Sequence, residues 1–387
     1  MPRVNAHPCS RMKSSEKAII ATLAALALFL TSLVGYIGIQ TIGFLTSRPL
    51  GPALDLPHPT LIDSEPAPLT IATSPSSPAV AGTDTPAPGA RCGGPPVMNL
   101  LAIGSDARSD SYNYGLADVI RFARIDFVTP RVGVLELPRD LWVEIPEIYD
   151  YINQNHEKLN QAYLYGNPGF GYFDHPSAGP GLLARTLELN FGLRADHYVA
   201  VNMVTFTKIV DALDGIDLTL EEAVDGRTST DRSSRLYFSR GKHHLNGTEA
   251  LTLARLRPEG VTQRGQSQNI ILCALKKRLL QPDVAVRLPD LISAFVDNIQ
   301  TDMSLEQLGQ LACLGPQLEA ENLVFASFPD ELLTQSRQYD PVFEKRVFVW
   351  EADFGALREI SFRFAAGLWP AAGDVATADD EGFRCPL

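Results

Sequence analysis

From Val97 onward the chain changes rhythm between apolar and polar positions again and again, and each change marks an element. Val97 to Ile103 (VMNLLAI) is an almost unbroken apolar run, the pattern of a buried central strand. Val119 to Phe127 and Val132 to Leu137 are β-rich and joined at Thr129-Pro130-Arg131, which predicts a hairpin. Residues 178–191 (AGPGLLARTLELNF) read as an amphipathic helix. A strand at His197 to Val201, a helix at Val204 to Leu213 and a strand at Ile216 to Leu220 follow. Further helices are predicted at 246–254, 264–280, 285–299 and 304–314, then a strand at Leu323 to Phe328. This alternation predicts the α/β class: a three-layer α/β/α sandwich with a mixed central sheet. Residues 225–240 read as a polar loop. The tail from 335 to 387 is less patterned, although Phe343, Val347, Val349 and Trp350 suit an added strand. It is expected to be an extension packed on a domain spanning 97–334.

Upstream the pattern is different. Ala18 to Leu45 contains no charged residue and is long enough to cross about 30 Å of hydrocarbon. A cleaved signal peptide is the competing reading, but the run exceeds the usual apolar core of one. A single transmembrane anchor at 18–45 is therefore expected. Arg3, Arg11, Lys13 and Lys17 precede it and only Arg48 follows closely, so residues 1–17 would be cytoplasmic and the main domain extracytoplasmic. Residues 46–96 are rich in Pro, Ser, Thr and Ala and predict a disordered or polyproline-like linker. The net charge of −12 argues against a nucleic-acid partner held by bulk electrostatics. Any anion site must then be local.

Cys9 falls on the cytoplasmic side of the anchor. Cys92, Cys273, Cys313 and Cys385 would lie outside, where disulfides are permitted. Four cysteines allow three pairings. Cys92 opens the folded domain and Cys385 closes it, while Cys273 and Cys313 sit in consecutive helical patterns, so Cys92–Cys385 and Cys273–Cys313 are expected. Burial of Cys273 and Cys313 as small apolar residues is the alternative. No cysteine or histidine spacing resembles a zinc site, and His243-His244 reads as a turn.

The chemistry concentrates in a few positions. Asn246 begins a helix, with Glu249 as its capping-box partner. Arg255 and Arg257 lie two apart, and Pro258 disfavours helix at Arg257, so the pair reads as extended chain with both side chains on one face. Arg264 and Gln268 lie four apart, on one face of the next helix. Planar cations grouped in this way suit bidentate binding of phosphate or pyrophosphate. Surface arginines paired with acids are the alternative. Asp106 follows the first buried strand, and Asp118 enters the next one. Adjacent strands would bring both carboxylates to one sheet end, where open α/β sheets place ligands. Two such acids beside arginines suit Mg²⁺ (or Mn²⁺) bridging a pyrophosphate.

The ordered set of motifs resembles the LytR–CpsA–Psr family of membrane-anchored glycopolymer transferases over roughly 97–282. The matching pieces are Gly104-Ser105-Asp106 with Arg108, then Asp118, then Pro138-Arg139-Asp140. Next come KLNQAY (Lys158 to Tyr163), the stretch His197 to Leu220, Leu245 to Arg257, and Arg264 with Gln268. The resemblance implies transfer of a phosphate-linked glycopolymer from a polyprenyl-pyrophosphate carrier to a hydroxyl of peptidoglycan or a related wall acceptor. It assigns Asp106 and Asp118 to Mg²⁺. It assigns Arg108, Arg139, Arg255, Arg257, Arg264 and Gln268 to the pyrophosphate. Asp106, Arg108, Arg139, Arg255 and Arg257 form the catalytic set, with Asp140 orienting Arg139 and with Lys158 and Asn160 at the rim. A lipid tunnel would draw on Val199, Val201, Phe206, Ile209, Val210, Ile270 and Ile271, which equally suit an ordinary core. The chain departs from the family pattern at Leu116 and Val119, where an arginine and a threonine are usual, and at Val261-Thr262-Gln263 and Ser267. A non-catalytic polyprenyl-phosphate-binding protein, or an envelope scaffold or regulator, is the alternative.

Overall fold

The computed structural model describes residues 47–54, 56, 89–107, 112–256, 261–295, 298–370 and 383–385. Of its two units, one is Met1–Arg48 with Ser304–Glu306, and the other is Pro49–Met303 with Gln307–Leu387, which holds the central sheet. The stretch 18–45 lies outside the described residues. Among those described, no helix is long and apolar enough to cross a membrane.

In chain order the elements open with β1 (Val97–Ser105), β2 (Ala117–Asp126), β3 (Arg131–Glu136), β4 (Trp142–Glu144), β5 (His156–Lys158), α1 (Leu159–Gly166) and α2 (Ala178–Phe191). They continue with β6 (His197–Asn202), α3 (Met203–Ala212), β7 (Ile216–Leu220), β8 (Val224–Asp225), β9 (Tyr237–Phe238), β10 (Gly241–Leu245), α4 (Gly247–Arg255) and α5 (Val261–Leu279). The last are α6 (Val284–Phe295), β11 (Ile299–Thr301), α7 (Leu305–Leu314), β12 (Leu323–Ser327), β13 (Leu333–Asp340), β14 (Lys345–Ala352), α8 (Phe354–Ala365) and β15 (Phe383–Arg384). Among the described residues the central sheet has seven strands in the order β11-β6-β1-β2-β3-β12-β15. It is mixed: β1 runs parallel to β6 and β3 parallel to β12, while β1–β2 and β2–β3 are antiparallel.

Alternate residues of each strand serve opposite faces. Leu101, Ile103, Ile120, Phe122, Tyr198 and Ala200 join α1 and α2 in the largest core. Met98, Ala123, Ile125, Val134 and Phe325 face the other way, beside Cys273 of α5. Helices thus cover both faces, as the alternating pattern predicts. A third cluster ties α3, α4 and α5 to the β7–β10 hairpin. The ends of helices follow local rules. Asn202 caps α3 by accepting from the Thr205 amide at 2.7 Å. Asn246 and Glu249 form the reciprocal capping box of α4, each bond 3.0 Å.

Several expectations need correction. His243 and His244 lie in strand β10, not in a turn. The helix expected to reach residue 299 stops at Phe295, and Ile299–Thr301 pairs with β6 as an edge strand. Part of the stretch read as linker is folded onto the domain: the Leu50 amide donates to Met303 O at 3.1 Å, and Leu56 is 5% exposed within the main core. Residues 57–88 lie outside the described residues.

The disulfides are Cys92–Cys313 and Cys273–Cys385, not Cys92–Cys385 and Cys273–Cys313. The reason is tertiary. Pairing of β15 with β12 brings the chain end beside α5, where Cys273 faces the sheet. Cys313, near the end of α7, meets the turn at Arg91–Gly93, and Gln317 donates to Cys92 Sγ at 3.1 Å. Helix α6 stands between α5 and α7 in the chain, and each cysteine meets a different partner.

The C-terminal segment is part of the domain. Leu357 and Phe364 of α8 are buried in the main core, and β13 and β14 form a hairpin. Asp340 at the end of β13 is 1% exposed and accepts from Gln161 of α1 at 3.0 Å. The same region buries Glu157 completely, with one carboxylate oxygen lacking a partner among the described residues. Burial first, and then the Asp340 charge, push the Glu157 carboxyl up to about 8.

Two predictions follow from these contacts. Each disulfide closes a long loop, with separations of 221 and 112 residues, so chain entropy favours the folded state by up to about 5 kcal/mol per bridge. Non-reducing peptide mapping should recover the 92–313 and 273–385 links, and reduction should lower the melting temperature. Between the ordinary carboxylate range and pH 8, folded Glu157 keeps a proton that the unfolded chain has lost. Stability therefore falls as pH rises through that window. Glu157→Gln should flatten this slope and stabilise the protein at pH 8 by on the order of 1 kcal/mol in denaturant titrations. An unchanged slope would contradict the assignment.

Candidate functional site

The antiparallel register of β1 and β2 sets Ser105 opposite Ala117, with a shift between Gly104 and Ser105. A Cβ at Gly104 would fall 2.9 Å from the Val119 Cβ, so glycine permits the close approach there. Asp106 and Asp118 consequently come to the same sheet end. Asp106 is half-buried and its Oδ1 accepts from the Leu116 amide at 2.6 Å, which clamps the loop between the strands. The Leu116 side chain packs against the main core at the position where the resemblance expects an arginine.

β3 leads to the same end, and just beyond it Pro138-Arg139-Asp140 turns the chain into β4. Arg139 pairs with Asp118, and its Nε donates to Asp140 Oδ2 at 3.1 Å. Lys158 Nζ reaches Asp140 Oδ1 at 2.9 Å. The result is a ladder of alternating charge, Asp118–Arg139–Asp140–Lys158, with each side chain 17–19% exposed. Burial alone would lower the Arg139 pKa, but the two flanking carboxylates outweigh it and hold the guanidinium above its ordinary value. Arg139 is a permanent, oriented cation.

Sequence reasoning missed the cation on the other face of β2. Arg121 is 3% exposed. It donates to Asn269 Oδ1 at 2.6 Å, to Gln268 Oε1 at 3.2 Å and to Glu136 Oε2 at 3.2 Å. Its buried Nε has no partner among the described residues. Burial lowers its pKa and Glu136 partly offsets this. Helix α5 approaches closely because a Cβ at Gly265 would meet Glu136 Oε2 at 2.4 Å. The available signal was an arginine set inside the apolar run of ADVIRFARID.

Gln268 is 7% exposed, and its Nε2 donates to Ala254 O at 3.3 Å. Both ends of the amide are thus held by the protein, which sets Gln268 as a strut between Arg121 and α4 rather than as a free phosphate donor. Arg255 is the last residue of α4, where Leu256 turns extended at φ −60°, ψ 144°. Arg255 is exposed and has no ion-pair partner among the described residues. Arg108 and Arg257 lie outside the described residues, and Arg264 is described only as backbone of α5.

The α5-facing side of the central strands is incompletely covered. Cross-strand register aligns Val199, Ala102, Arg121 and Glu136 on β6, β1, β2 and β3. On this face Leu100, Ala102, Gly104, Val199 and Val201 are only half-buried, whereas Leu101, Ile103 and Ala200 behind them are 0%, 3% and 0% exposed. Central strands are normally closed on both faces. An apolar strip therefore runs toward Arg121. Of the residues expected in a tunnel, Val199, Val201, Phe206, Ile209 and Ile270 stay half-buried, while Val210 and Ile271 are packed core at 0% and 2%.

Hard oxygen donors at this end fit a Mg²⁺ or Mn²⁺ ion. Asp106 has one oxygen fixed by Leu116 and the other without a partner among the described residues, and Asp118 is oriented by Arg139. Ligating carboxylates are commonly fixed by hydrogen bonds of this kind. Among the described residues no three His, Cys, Asp or Glu side chains converge, so phosphate oxygens or water would have to complete the shell.

Comparison with known proteins identifies the family. The LytR_cpsA_psr family model matches residues 95–346. The regulatory protein MsrR of Staphylococcus aureus is 26% identical over 219 residues, which cover 55% of this chain and 59% of MsrR. The polyisoprenyl-teichoic acid–peptidoglycan teichoic acid transferase TagU of Oceanobacillus iheyensis is 26% identical over 218 residues, covering 55% of this chain and 61% of TagU. The chain thus spans about three-fifths of the length of these curated relatives. The crystal structure of Bacillus subtilis TagV shares the fold, with a TM-score of 0.53 at 22% identity over 70% of this chain and 97% of TagV. With the family model matched across the sheet and the charged sheet end, this chain belongs to the LytR_cpsA_psr family.

Proposed function

We propose that this protein transfers a phosphate-linked glycopolymer from a polyprenyl-pyrophosphate carrier to a hydroxyl of peptidoglycan or a related wall acceptor. It would do so from a single-pass membrane anchor, with its N-terminus cytoplasmic and its main domain outside. The observations that carry this reading are two features that reach one sheet end from its two faces: an oriented charge ladder and, on the α5 face, a half-uncovered apolar strip. A polyprenyl tail needs the strip and a pyrophosphate needs the cations. The printed activity of TagU adds support at the level of the family.

The mechanism is one of positioning and charge neutralisation. The acceptor oxygen attacks the phosphorus that carries the sugar. The bond from that phosphorus to the bridging oxygen breaks, and polyprenyl phosphate leaves with the electron pair. Arg139, aimed by Asp118 and Asp140, faces the charge that builds on the phosphoryl oxygens. Arg255, exposed at the end of α4, would add a second cation to the site, and Arg257 and Arg264 are expected beside it. Asp106, held at Oδ1 by the Leu116 amide, would take the acceptor proton if its other oxygen is only partly engaged by metal. A bound Mg²⁺ or Mn²⁺, held by Asp106 and Asp118, would supply Lewis-acid neutralisation of the pyrophosphate.

A second reading, carrier binding without transfer, draws on two observations. Leu116 places an apolar side chain where an arginine is expected, and Gln268 is consumed by Arg121 and Ala254. MsrR is named as a regulatory protein, a name that does not specify transfer.

Arg139→Ala and Arg255→Ala should each lower transfer by about 10²–10³-fold in a reconstituted assay with lipid-linked glycan. Asp106→Ala should do the same and abolish any dependence on added Mg²⁺. If wild type binds polyprenyl phosphate but never turns over, the binding-only reading replaces the enzymatic one. If none of the three substitutions lowers transfer, the site lies elsewhere.

A further inference from the structure

Outside the charged sheet end, the structure holds a half-open cavity of about 780 Å³ between α4, β10 and the segment Ser234–Ser239. Its α4 wall falls within the Leu245–Arg257 motif, but the sequence pattern does not mark it as a cavity. Its volume is that of a small-ligand site. Tyr237, His243, Thr248, Thr252, Arg255 and Leu256 are among its walls.

The lining selects for a particular chemistry. The acids and bases around it are mostly committed to the protein. Glu249 accepts from the Asn246 amide at 3.0 Å, and Arg235 pairs with Asp231 at 3.2 Å. His244 bonds Asp217 at 2.8 Å. His243 Nε2 donates to Ser239 O at 2.6 Å, which fixes the ring orientation. The hydroxyls of Thr248 and Tyr237 remain as neutral donors and acceptors, while that of Thr252 donates to Thr248 O at 2.7 Å and keeps only its acceptor capacity. Tyr237 is 41% exposed, and its ring is steadied by Arg227 at 4.6 Å from the centroid. Neutral hydroxyls over an aromatic and aliphatic floor suit a sugar ring, which has C–H faces and a hydroxyl rim. They do not suit a hydrocarbon tail or a polyanion.

Among the described lining residues Arg255 is the permanent cation without an ion-pair partner, and it stands at the end of α4 that adjoins the Arg121 network. The carbonyl of the preceding residue, Ala254, accepts from Gln268 at 3.3 Å, and Gln268 accepts from Arg121 at 3.2 Å. A ligand lying in the cavity would therefore be neutral along its length and anionic at the Arg255 end.

We propose that this cavity is a glycan subsite that holds uncharged sugar units next to the reacting phosphate. The proposal rests on the transfer reading above. The sugars could belong to the carrier-linked donor or to the wall acceptor, since both present the same hydroxyl-rich chemistry.

The test uses the full-length protein in detergent and measures binding of three probes. These are polyprenyl phosphate without sugar, a polyprenyl-pyrophosphate disaccharide, and a soluble peptidoglycan disaccharide-peptide. Thr252→Trp fills the cavity, and Tyr237→Ala, at an exposed position, removes the platform with little risk to folding. Thermal melts check that both variants fold. Both variants should bind at least one sugar-bearing probe tenfold or more weakly than wild type, with polyprenyl phosphate binding unchanged. Loss on the disaccharide lipid assigns the cavity to the donor; loss on the soluble fragment assigns it to the acceptor. If folded variants bind both sugar-bearing probes as wild type does, the subsite proposal is overturned. Failure of wild type to bind polyprenyl phosphate would instead sink the transfer reading, and it is read in a separate arm.

Discussion

The register of β1 against β2 is the constraint on which the site depends. With Ser105 opposite Ala117 and Ala102 opposite Arg121, both aspartates reach one sheet end and Arg121 turns to the α5 face. A slip of one residue would exchange the faces of the whole strand. It would bury Asp118 against α5 and thrust Arg121 into the main core. That core includes Leu101, Ile103, Ile120 and Phe122, all nearly or fully buried. Each such side chain contributes roughly 1.5–3 kcal/mol of burial, so the register is held by far more than the polar groups it positions.

The charged groups are held in two different ways. Arg139 lies in a ladder that is partly open to water, where its partners orient it and leave it reachable. Arg121 lies in a closed network that offsets its burial with Glu136, Asn269 and Gln268. Removing one partner from such a network generally costs more than the network gains as a whole. The network fastens α5 to the sheet beside the apolar strip, and so sets how wide that strip can be. Through Gln268 and Ala254 it also sets the angle at which α4 presents Arg255.

The divergence at Leu116 has a structural reading. Its backbone clamps Asp106 through paired hydrogen bonds, and its side chain fills the core. The loop is therefore built around an aliphatic anchor. The next cation along β2 after Leu116, Arg121, is on the opposite strand face, so it does not replace the arginine missing at that position. Neutralisation at the phosphate would fall more heavily on Arg139 and Arg255.

Much of this was legible in the chain itself, because the information was local. Apolar runs of strand and helix period marked β1, β2, β3, α2 and β6. The Asn246–Glu249 box marked the start of α4, and the spacing of Asp106, Asp118 and Arg139 placed them at strand ends. What needed the tertiary structure was everything set by which elements meet. The disulfides cross-link α5 to the C-terminal strand and α7 to the first turn, and no spacing records that docking. Arg121 and Gln268 become partners only when α5 lies on β2, and the cavity exists only between α4 and the β9–β10 region. Local periodicity is written by each residue's own preference for a face, whereas long-range pairing is decided by how whole elements pack.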